Sequence, residues 1–216
     1  CAGVSAVKWK ANREPEADWA GIARLLEVLD TVQAERFVLV STIDVYPRPV
    51  GVTEDDHPAR GEGEPYGRHR LEVEHRIAER FPNHLILRLP ALFGQGLKKN
   101  AIFDLLTGNQ VDRINPNGSF QWYPMRRFPA DLRRALEAGP RLLNIAVEPL
   151  RMTDIAAAHF DGARLGAPDT PPAFYDMRTR HAALLGGQGG YHIDAATSLA
   201  EIGAYVAAVR QGGGTP

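Results

Sequence analysis

The first regular pattern of apolar positions lies between Glu16 and Val32, where apolar side chains recur at spacings of three and four: Trp19, Ile22, Leu26, Leu29 and Val32. This period places them on one face of a helix, which we expect to pack on a sheet. The next apolar run, Phe37 to Val40, is too short for a helix and rich in β-branched residues. Such a run predicts a strand buried on both faces, as in a parallel sheet covered by helices.

Helix and strand continue to alternate after a long polar loop. Residues 47–65 are rich in proline, glycine and acidic residues, and loops of this length in compact domains are often functional. The next helix is predicted from Tyr66 to Phe81, directly after Pro65, and a strand is predicted at Leu85–Leu87. This order of elements predicts an α/β fold with a doubly wound sheet.

Beyond Gly94 the pattern becomes less regular and the expected elements are shorter. They are a helix near 100–106, a helix at 129–138 closed by Gly139, a strand at 142–146, a helix capped by Thr153 and ending at Leu165, a strand at 174–177 and a helix at 195–210. Residues 211–216 are expected to form a frayed tail.

Composition narrows the class of protein. The 216 residues are 44% hydrophobic and 24% charged, and the formal charge of −1 offers no electrostatic footprint for nucleic acid or an anionic membrane. Cys1 is the single cysteine, and the seven histidines show no metal-binding spacing, so no metal site is expected. No apolar run approaches the ~20 residues that span a bilayer, and no leader pattern opens the chain. A reducing, cytoplasmic compartment is therefore the expectation.

Two segments carry candidate chemistry. Ser41 and Thr42 end the first predicted strand, and Tyr66 opens the next predicted helix with Arg70 four residues later. A free tyrosine has a pKa of about 10, so it is a poor base at neutral pH unless a positive charge stabilises the phenolate. Because residues four apart share one side of a helix, Arg70 is expected to lie near the Tyr66 side chain. The combination predicts a proton-transfer site.

Simpler interpretations of these residues stay open. A tyrosine followed four residues later by a basic residue is common on solvated helix faces, and Ser41 and Thr42 are also typical of polar residues that end a strand. Asp44 and Tyr46 are expected to make local hydrogen bonds and packing contacts rather than to catalyse a reaction. The strand-to-helix context and the spacing favour the functional interpretation.

Later segments offer weaker signals. Lys98, Lys99 and Asn100 follow a glycine-rich turn and suit an anionic substrate, although a solvated loop is the alternative. The aromatic and methionine residues at 121–125 and 174–178 either line a substrate lobe or pack in the core. The glycines between 186 and 190 follow no convincing strand, so they are not expected to bind a nucleotide.

Four segments occur in a characteristic order: Cys1–Gly3, Ser41–Tyr46, Tyr66–Arg70 and Arg88–Gly94. Through them, residues 1 to about 165 resemble the extended short-chain dehydrogenase/reductase superfamily, in its NAD-dependent epimerase/dehydratase branch. The segments resemble, in turn, the exit of the fourth strand beside the cofactor, the hydroxyl-bearing strand end, the Tyr-x-x-x-Lys helix and the Arg-x-Pro-x-x-Tyr-Gly element of that family.

The resemblance implies a Rossmann-type fold, with a partial dinucleotide-binding domain at 1–96 and a mixed substrate-binding lobe with returning Rossmann elements at 97–210. It implies NAD or NADP as cofactor and a sugar or nucleotide-sugar as substrate, and a homodimer is a further expectation. The site residues that it implies are Thr42, Tyr66 and Arg70 for catalysis, Ala2, Gly3, Tyr66, Arg70 and Pro90 for the cofactor, and Ser41, Lys98, Lys99 and Asn100 for the substrate. In this mechanism Thr42 hydrogen-bonds the reacting oxygen and Tyr66 takes its proton, while a hydride leaves the same carbon for the nicotinamide.

Two departures from the family pattern qualify the function. Arg70 stands where the family has lysine, and a planar guanidinium cannot act as a compact ammonium shared between ribose hydroxyls and tyrosine, so weakened catalysis is expected. The glycine-rich turn that holds the pyrophosphate is absent from the sequence. The family architecture then implies on the order of 60 further residues, at ~30 per βαβ unit. We expect either part of a longer enzyme or a short protein whose sheet edge is covered by a partner.

Three functions therefore stand at this point. The first is an NAD(P)-dependent epimerase, dehydratase or reductase. The second is a non-catalytic, dehydrogenase-like protein that has kept the scaffold for binding or regulation. The third is a fragment without a function of its own.

Overall fold

The fold was analysed in a computed structural model that describes residues 7–166 and 171–212. The expected strand exit at Cys1–Gly3, with the predicted cofactor contacts Ala2 and Gly3, lies outside the described residues. The last four residues of the expected tail, 213–216, also lie outside them.

Helices and strands alternate through the first half of the described chain. The helices are α1 (Lys8–Arg13), α2 (Pro15–Thr31), α3 (Pro65–Arg80), α4 (Ala101–Thr107), α5 (Phe128–Ala138), α6 (Met152–His159) and α7 (Ala195–Gly212). The strands are β1 (Phe37–Thr42), β2 (His84–Leu89), β3 (Ala91–Phe93), β4 (Ser119–Phe120), β5 (Trp122–Pro124), β6 (Leu142–Asn144) and β7 (Leu150–Arg151). Most predicted elements agree with these bounds within two residues, whereas α1 and the short strands β3, β4, β5 and β7 were not predicted.

The main sheet is parallel, with the strand order β1-β2-β6. Strand β2 lies in the centre and is buried along its whole length, whereas β1 pairs only with β2 among the described strands. The prediction that β1 is buried on both faces was wrong, because the Val40 side chain on this edge strand is 53% exposed. Helices α2 and α3 cover the sheet through a cluster that includes Ile22, Ile77 and Phe81.

A second core joins the short strands to the later helices. Strands β3 and β5 pair in parallel, and β4 pairs with β7 in antiparallel orientation. Their side chains and those of α4, α6 and α7 form one cluster around Phe93, Trp122, Met152 and Ile202. This region therefore has a hydrophobic core of its own. The domain division at residue 96 stays a prediction.

Four predicted features of the later chain were wrong. Thr153 does not cap α6, because the amides of Met152 and Thr153 instead donate to the carbonyls of Gly118 and Pro116, at 2.9 and 3.2 Å. The same helix ends at His159 rather than at Leu165. Residues 174–177 make only isolated bridges instead of a strand, and the start of the expected tail, residues 211 and 212, belongs to α7.

Gly67 allows α3 to lie directly on the turn that follows β1. A Cβ atom at this position would lie 1.8 Å from the carbonyl oxygen of Asp44. We therefore expect Gly67→Ala to lower the free energy of unfolding in urea by about 1–3 kcal/mol, because backbone must move to make room. Gly212→Ala, at a helix position with nothing within 4 Å, is the matched control and is expected to change little. Equal stability of the two variants would contradict this packing.

Candidate active site

The candidate site forms where β1 ends and a 3-10 turn, Ile43–Val45, begins. The Thr42 hydroxyl caps this turn by accepting a hydrogen bond from the amide of Asp44 at 3.2 Å. In open parallel sheets, ligands bind outside the carboxyl ends of the strands. The turn therefore presents Thr42 and Asp44 at the edge of the sheet where a ligand is expected.

Tyr66 reaches the same edge from the first turn of α3. Pro65 fixes the helix start because its ring presets the helical φ angle, and the amide of Tyr66 donates to the Asn12 side chain at 2.9 Å. Tyr66 and Thr42 line the same cavity, and the Thr42 hydroxyl lies near enough to the Tyr66 phenol to influence its pKa. The two predicted catalytic hydroxyls therefore meet, although they are 24 residues apart in sequence.

A cavity of about 560 Å³ opens beside these hydroxyls. The predicted residues that line it are Thr42, Tyr66, Pro90, Lys98, Lys99 and Asn100. Gln121, Met125 and Tyr175 also line it, so the segments 121–125 and 174–178 contribute to the cavity, whereas Trp122 and Tyr123 are core residues. The cavity thus collects side chains from both halves of the chain.

The Tyr66 phenol is held in its protonated form. Burial raises its pKa above the ordinary value of 10.0, and the neighbouring Asp44 carboxylate acts in the same direction. The positive charges of Arg70 and Lys8 and the nearby Thr42 hydroxyl oppose this rise without cancelling it. At neutral pH Tyr66 is therefore a proton donor, and a role as base requires additional positive charge near its oxygen.

Arg70 lies against Tyr66, but its charge is already compensated. Its guanidinium carbon is 4.0 Å from the centre of the Tyr66 ring, and its two terminal nitrogens donate to the carboxylate of Asp18 at 2.5 and 2.8 Å. His69 also contacts Asp18, at 2.8 Å. Arg70 does not line the cavity, so the cation predicted for catalysis and cofactor binding is placed in a nearly buried ion pair beside the site.

We expect the free energy of unfolding to decrease at acidic pH as the Asp18 carboxyl becomes protonated. Burial acts to raise the pKa of its carboxyl, but hydrogen bonds from Arg70 and His69 outweigh burial and lower the pKa below 3.8. A carboxyl with a lowered folded-state pKa stabilises the protein above the unfolded-state pKa, and this contribution disappears as pH falls through the folded-state value. We expect Asp18→Asn to lower the free energy of unfolding at pH 7 and to have little effect near pH 2, as measured in urea. An equal loss at both pH values would contradict the assignment.

Two predicted substrate contacts are engaged elsewhere. The Ser41 hydroxyl donates to the buried carboxylate of Glu74 at 2.5 Å, so Ser41 faces the protein interior and does not line the cavity. The side chain of Asn100 caps α4 by accepting from the amides of Ile102 and Phe103, and it donates to the carbonyl of Leu92. The Asn100 side chain is therefore occupied by hydrogen bonds to backbone groups at the wall of the cavity.

Lys8, Asp44 and Tyr175 form a polar cluster that sequence reasoning missed. The Lys8 ammonium is 2.6 Å from a carboxylate oxygen of Asp44 and 2.8 Å from the Tyr175 hydroxyl, which itself donates to the same oxygen at 3.0 Å. Burial acts to lower the pKa of Lys8, but Asp44 and Tyr175 outweigh it and raise the pKa. Lys8 is separated from its partners by 36 and 167 residues, so no local pattern could have identified the cluster.

In residues 7–166 and 171–212, no group of three or more histidine, cysteine, aspartate or glutamate side chains is arranged to hold a metal ion. Across the same ranges, none of the helices combines the length and the apolar character needed to cross a bilayer.

The parallel sheet and the ligand edge define a Rossmann-type α/β protein, and comparison with solved structures agrees. A dTDP-4-dehydrorhamnose reductase from Clostridium acetobutylicum matches with a TM-score of 0.72 and 17% identity over 97% of this chain and 79% of that one. MoeE5 in complex with UDP-glucose and NAD gives 0.71 and 20% over 99% and 79%. RMD from Pseudomonas aeruginosa, complexed with NADPH, gives 0.69 and 18% over 96% and 80%. A search of curated protein sequences found no match.

The family follows from the sequence comparison. The model of the NAD dependent epimerase/dehydratase family matches residues 1–110, slightly more than half of the chain. The chain therefore belongs to this NAD-dependent family, which confirms the resemblance inferred from the four segments.

Proposed function

We propose that this chain carries the proton-transfer half of an NAD(P)-dependent epimerase, dehydratase or reductase that acts on a sugar or nucleotide-sugar. The observation that supports it most directly is the meeting of the Thr42 and Tyr66 hydroxyls at one cavity. Both are hydrogen-bond donors of the kind that a carbonyl oxygen needs when negative charge develops on it. The family to which the chain belongs gives this arrangement its redox context.

The residues present fit the reactive end of the cofactor. Thr42, Tyr66 and Pro90 line the cavity at the edge of the sheet, where they would hold the nicotinamide end. When bound, NAD(P) accepts or NAD(P)H supplies the hydride. None of the described strands leads into a helix through a Gly-x-Gly-x-x-Gly or Gly-x-x-Gly-x-x-Gly turn for the pyrophosphate, and Arg70 is paired with Asp18, so the fit is limited to the nicotinamide side.

The chemistry of the two hydroxyls follows from their protonation. In the direction of reduction, Thr42 donates a hydrogen bond to the substrate carbonyl oxygen, and Tyr66 gives that oxygen its proton as a hydride adds to the carbon. In the direction of oxidation, Tyr66 removes the proton from the alcohol oxygen as the hydride leaves. Because the pKa of Tyr66 is raised, its resting form is ready for the first direction.

The substrate class is proposed from charge and from the neighbours. Lys98 and Lys99 line the same cavity and provide positive charge for a diphosphate or another anionic group. The similar structures include proteins described with UDP-glucose and with UDP-glucuronic acid. A nucleotide-sugar is therefore the proposed substrate. We also propose that the enzyme is a homodimer in the cytoplasm. The proposed boundary of its substrate lobe is residue 96.

One observation favours a second function. Because the Arg70 charge is compensated by Asp18, the residue at the family's lysine position is not directed into the cavity. A non-catalytic protein that binds a nucleotide-sugar or the cofactor for regulation would tolerate this substitution. Catalysis and binding are therefore tested separately.

Binding is tested by isothermal titration calorimetry of the purified chain with NADH, NADPH and a panel of UDP- and dTDP-sugars. We expect saturable binding of at least one nucleotide-sugar, weakened by Lys98→Met and Lys99→Met but not by Lys10→Met, an exposed lysine of α1 outside the cavity. Catalysis is tested in the same samples by the change in NAD(P)H absorbance for reduction, and by chromatography of the sugar products for epimerisation and dehydration, which leave the net oxidation state of the cofactor unchanged. Absence of binding to every compound would contradict both functions, and binding without any product would leave the regulatory one.

A further inference from the structure

Three polar groups meet beside the Tyr66–Thr42 pair, although each comes from a different part of the chain. Lys8 belongs to α1, Asp44 to the turn after β1 and Tyr175 to the extended segment after residue 170. All three pairwise distances between the Lys8 ammonium, one Asp44 oxygen and the Tyr175 hydroxyl are between 2.6 and 3.0 Å. The Asp44 oxygen in this cluster, Oδ1, therefore accepts two hydrogen bonds, one from Lys8 and one from Tyr175.

The second carboxylate oxygen of Asp44 faces the catalytic pair. Thr42 Oγ1 lies 3.4 Å from Asp44 Oδ2 and accepts a hydrogen bond from the Asp44 amide at 3.2 Å, and it lines the same cavity as the Tyr66 phenol. A rotation of the Asp44 side chain would therefore remove a contact of the Thr42 hydroxyl. Lys8 and Tyr175 prevent that rotation because they fix the opposite oxygen.

The charged groups around Tyr66 fall into two opposed pairs. From its own helix, Arg70 stacks on the ring and is compensated by Asp18 of α2, which His69 also contacts. From the other side, Asp44 is compensated by Lys8. The remaining charges of the cavity, Lys98 and Lys99, lie on the loop before α4, and Tyr175 is the further titratable group of the cluster.

We propose that Lys8, Asp44 and Tyr175 form a positioning triad that fixes the Thr42 hydroxyl for Tyr66 and balances the charge beside the Tyr66 phenol. The proposal rests on the function proposed above. It assigns Lys8 and Asp44 opposite effects on Tyr66: the carboxylate favours the protonated phenol and the ammonium favours the phenolate. The two charges act on the phenol in opposite directions and through Thr42 and Tyr66, so Lys8 and Asp44 are positioning residues.

The opposite signs give a test that needs neither cofactor nor substrate. The chain is labelled with ¹³Cζ-tyrosine, the Tyr66 resonance is assigned with Tyr66→Phe, and its titration is followed by NMR to high pH. We expect Asp44→Asn to move the Tyr66 midpoint to lower pH by about one unit, because a neighbouring negative charge is lost. Lys8→Met is expected to move the midpoint to higher pH, and Lys8→Met/Asp44→Asn to return it close to that of the unchanged chain.

The controls separate this electrostatic effect from loss of structure. Lys10→Met removes an exposed lysine from the same helix and is expected to leave the midpoint unchanged. Tyr175→Phe keeps both charges and is expected to cause only a small shift in the titration, while it lowers kcat in an active sample through a less fixed Thr42. Each variant is checked for folding by circular dichroism and thermal unfolding. If Lys8→Met unfolds, Lys8→Arg replaces it. Because Lys8→Arg keeps the positive charge, its Tyr66 titration midpoint is expected near that of the unchanged chain.

Shifts of the same sign in Asp44→Asn and Lys8→Met, or additive shifts in the double variant, would overturn the proposal. Unchanged midpoints in all folded variants would overturn it as well. Failure of the proposed enzyme function gives a different result, because an inactive chain would still show the opposite NMR shifts.

Discussion

Replacement of Glu74 by alanine is expected to lower the free energy of unfolding by about 3–5 kcal/mol, because it leaves the Arg88 guanidinium charged and unpaired inside the protein. The side chains of Glu74 and Arg88 are only 3% and 4% exposed. Arg88 donates to both oxygens of Glu74, at 2.6 to 3.2 Å, and its remaining terminal nitrogen donates to the Tyr46 hydroxyl at 2.6 Å. Removal of one partner therefore disrupts a closed hydrogen-bond network.

The same network has consequences for the site. Glu74 lies on α3 and accepts the Ser41 hydroxyl of β1, while Arg88 lies on β2. The network therefore fixes α3 against the two strands, and its member Ser41 directly precedes Thr42, the proposed catalytic residue. We expect any Glu74→Ala protein that remains folded to lose activity together with stability, because Tyr66 is carried by the same helix.

The measurement is equilibrium unfolding in urea with matched variants. Glu79→Ala, on the same helix, removes a carboxylate that is 62% exposed and pairs with Arg60 at 3.2 Å, and it is expected to cost well below 1 kcal/mol. Glu74→Leu/Arg88→Met removes both charges and is expected to recover much of the loss. A Glu74→Ala variant as stable as Glu79→Ala would show that the pair is not required.

The sequence predicted the elements with strong periodicity or clear boundaries. Helix α3 was predicted because Pro65 marks its start, and β2 because Leu85–Leu87 is an apolar run. The exposure of Val40 could not be predicted, because an apolar run has the same composition in an edge strand and in a central one. Strands β3 and β5 are three residues long and β5 ends in proline, so local propensity does not distinguish them from loop.

The candidate site was predictable only where a motif places it. Thr42 and Tyr66 were predicted from their positions at a strand end and a helix start, and the structure brings them together. Alternation along β1 places the Ser41 and Thr42 side chains on opposite faces of the sheet. The sequence does not show which of the two faces the interior, so the contact of Ser41 with Glu74 could not be predicted. The Lys8 cluster depends on contacts across up to 167 residues, and such contacts have no signature in a local pattern.

Tyr66→Phe is expected to lower kcat by at least about 100-fold, the lower end of what a positioned proton donor contributes. The fold should be retained, because phenylalanine preserves the ring on which Arg70 stacks at 4.0 Å. Binding of nucleotide-sugar should change much less than kcat, since the phenol is required mainly when the proton moves.

The matched control is Tyr205→Phe, which removes a buried hydroxyl that has no hydrogen-bond partner and lies outside the cavity. It is expected to keep full activity and to be at least as stable as the unchanged chain, because an unsatisfied polar atom is removed.

The pH profile of the reaction adds a second criterion. Because the pKa of Tyr66 is raised, the rate of reduction should stay level through neutral pH and fall only above about pH 10, as the phenol loses its proton. Equal, non-zero activities of Tyr66→Phe and the unchanged chain would exclude Tyr66 as the proton donor. Absence of activity in both proteins, with nucleotide-sugar still bound, would favour the regulatory binding function, because the scaffold would then persist without the chemistry of its hydroxyls.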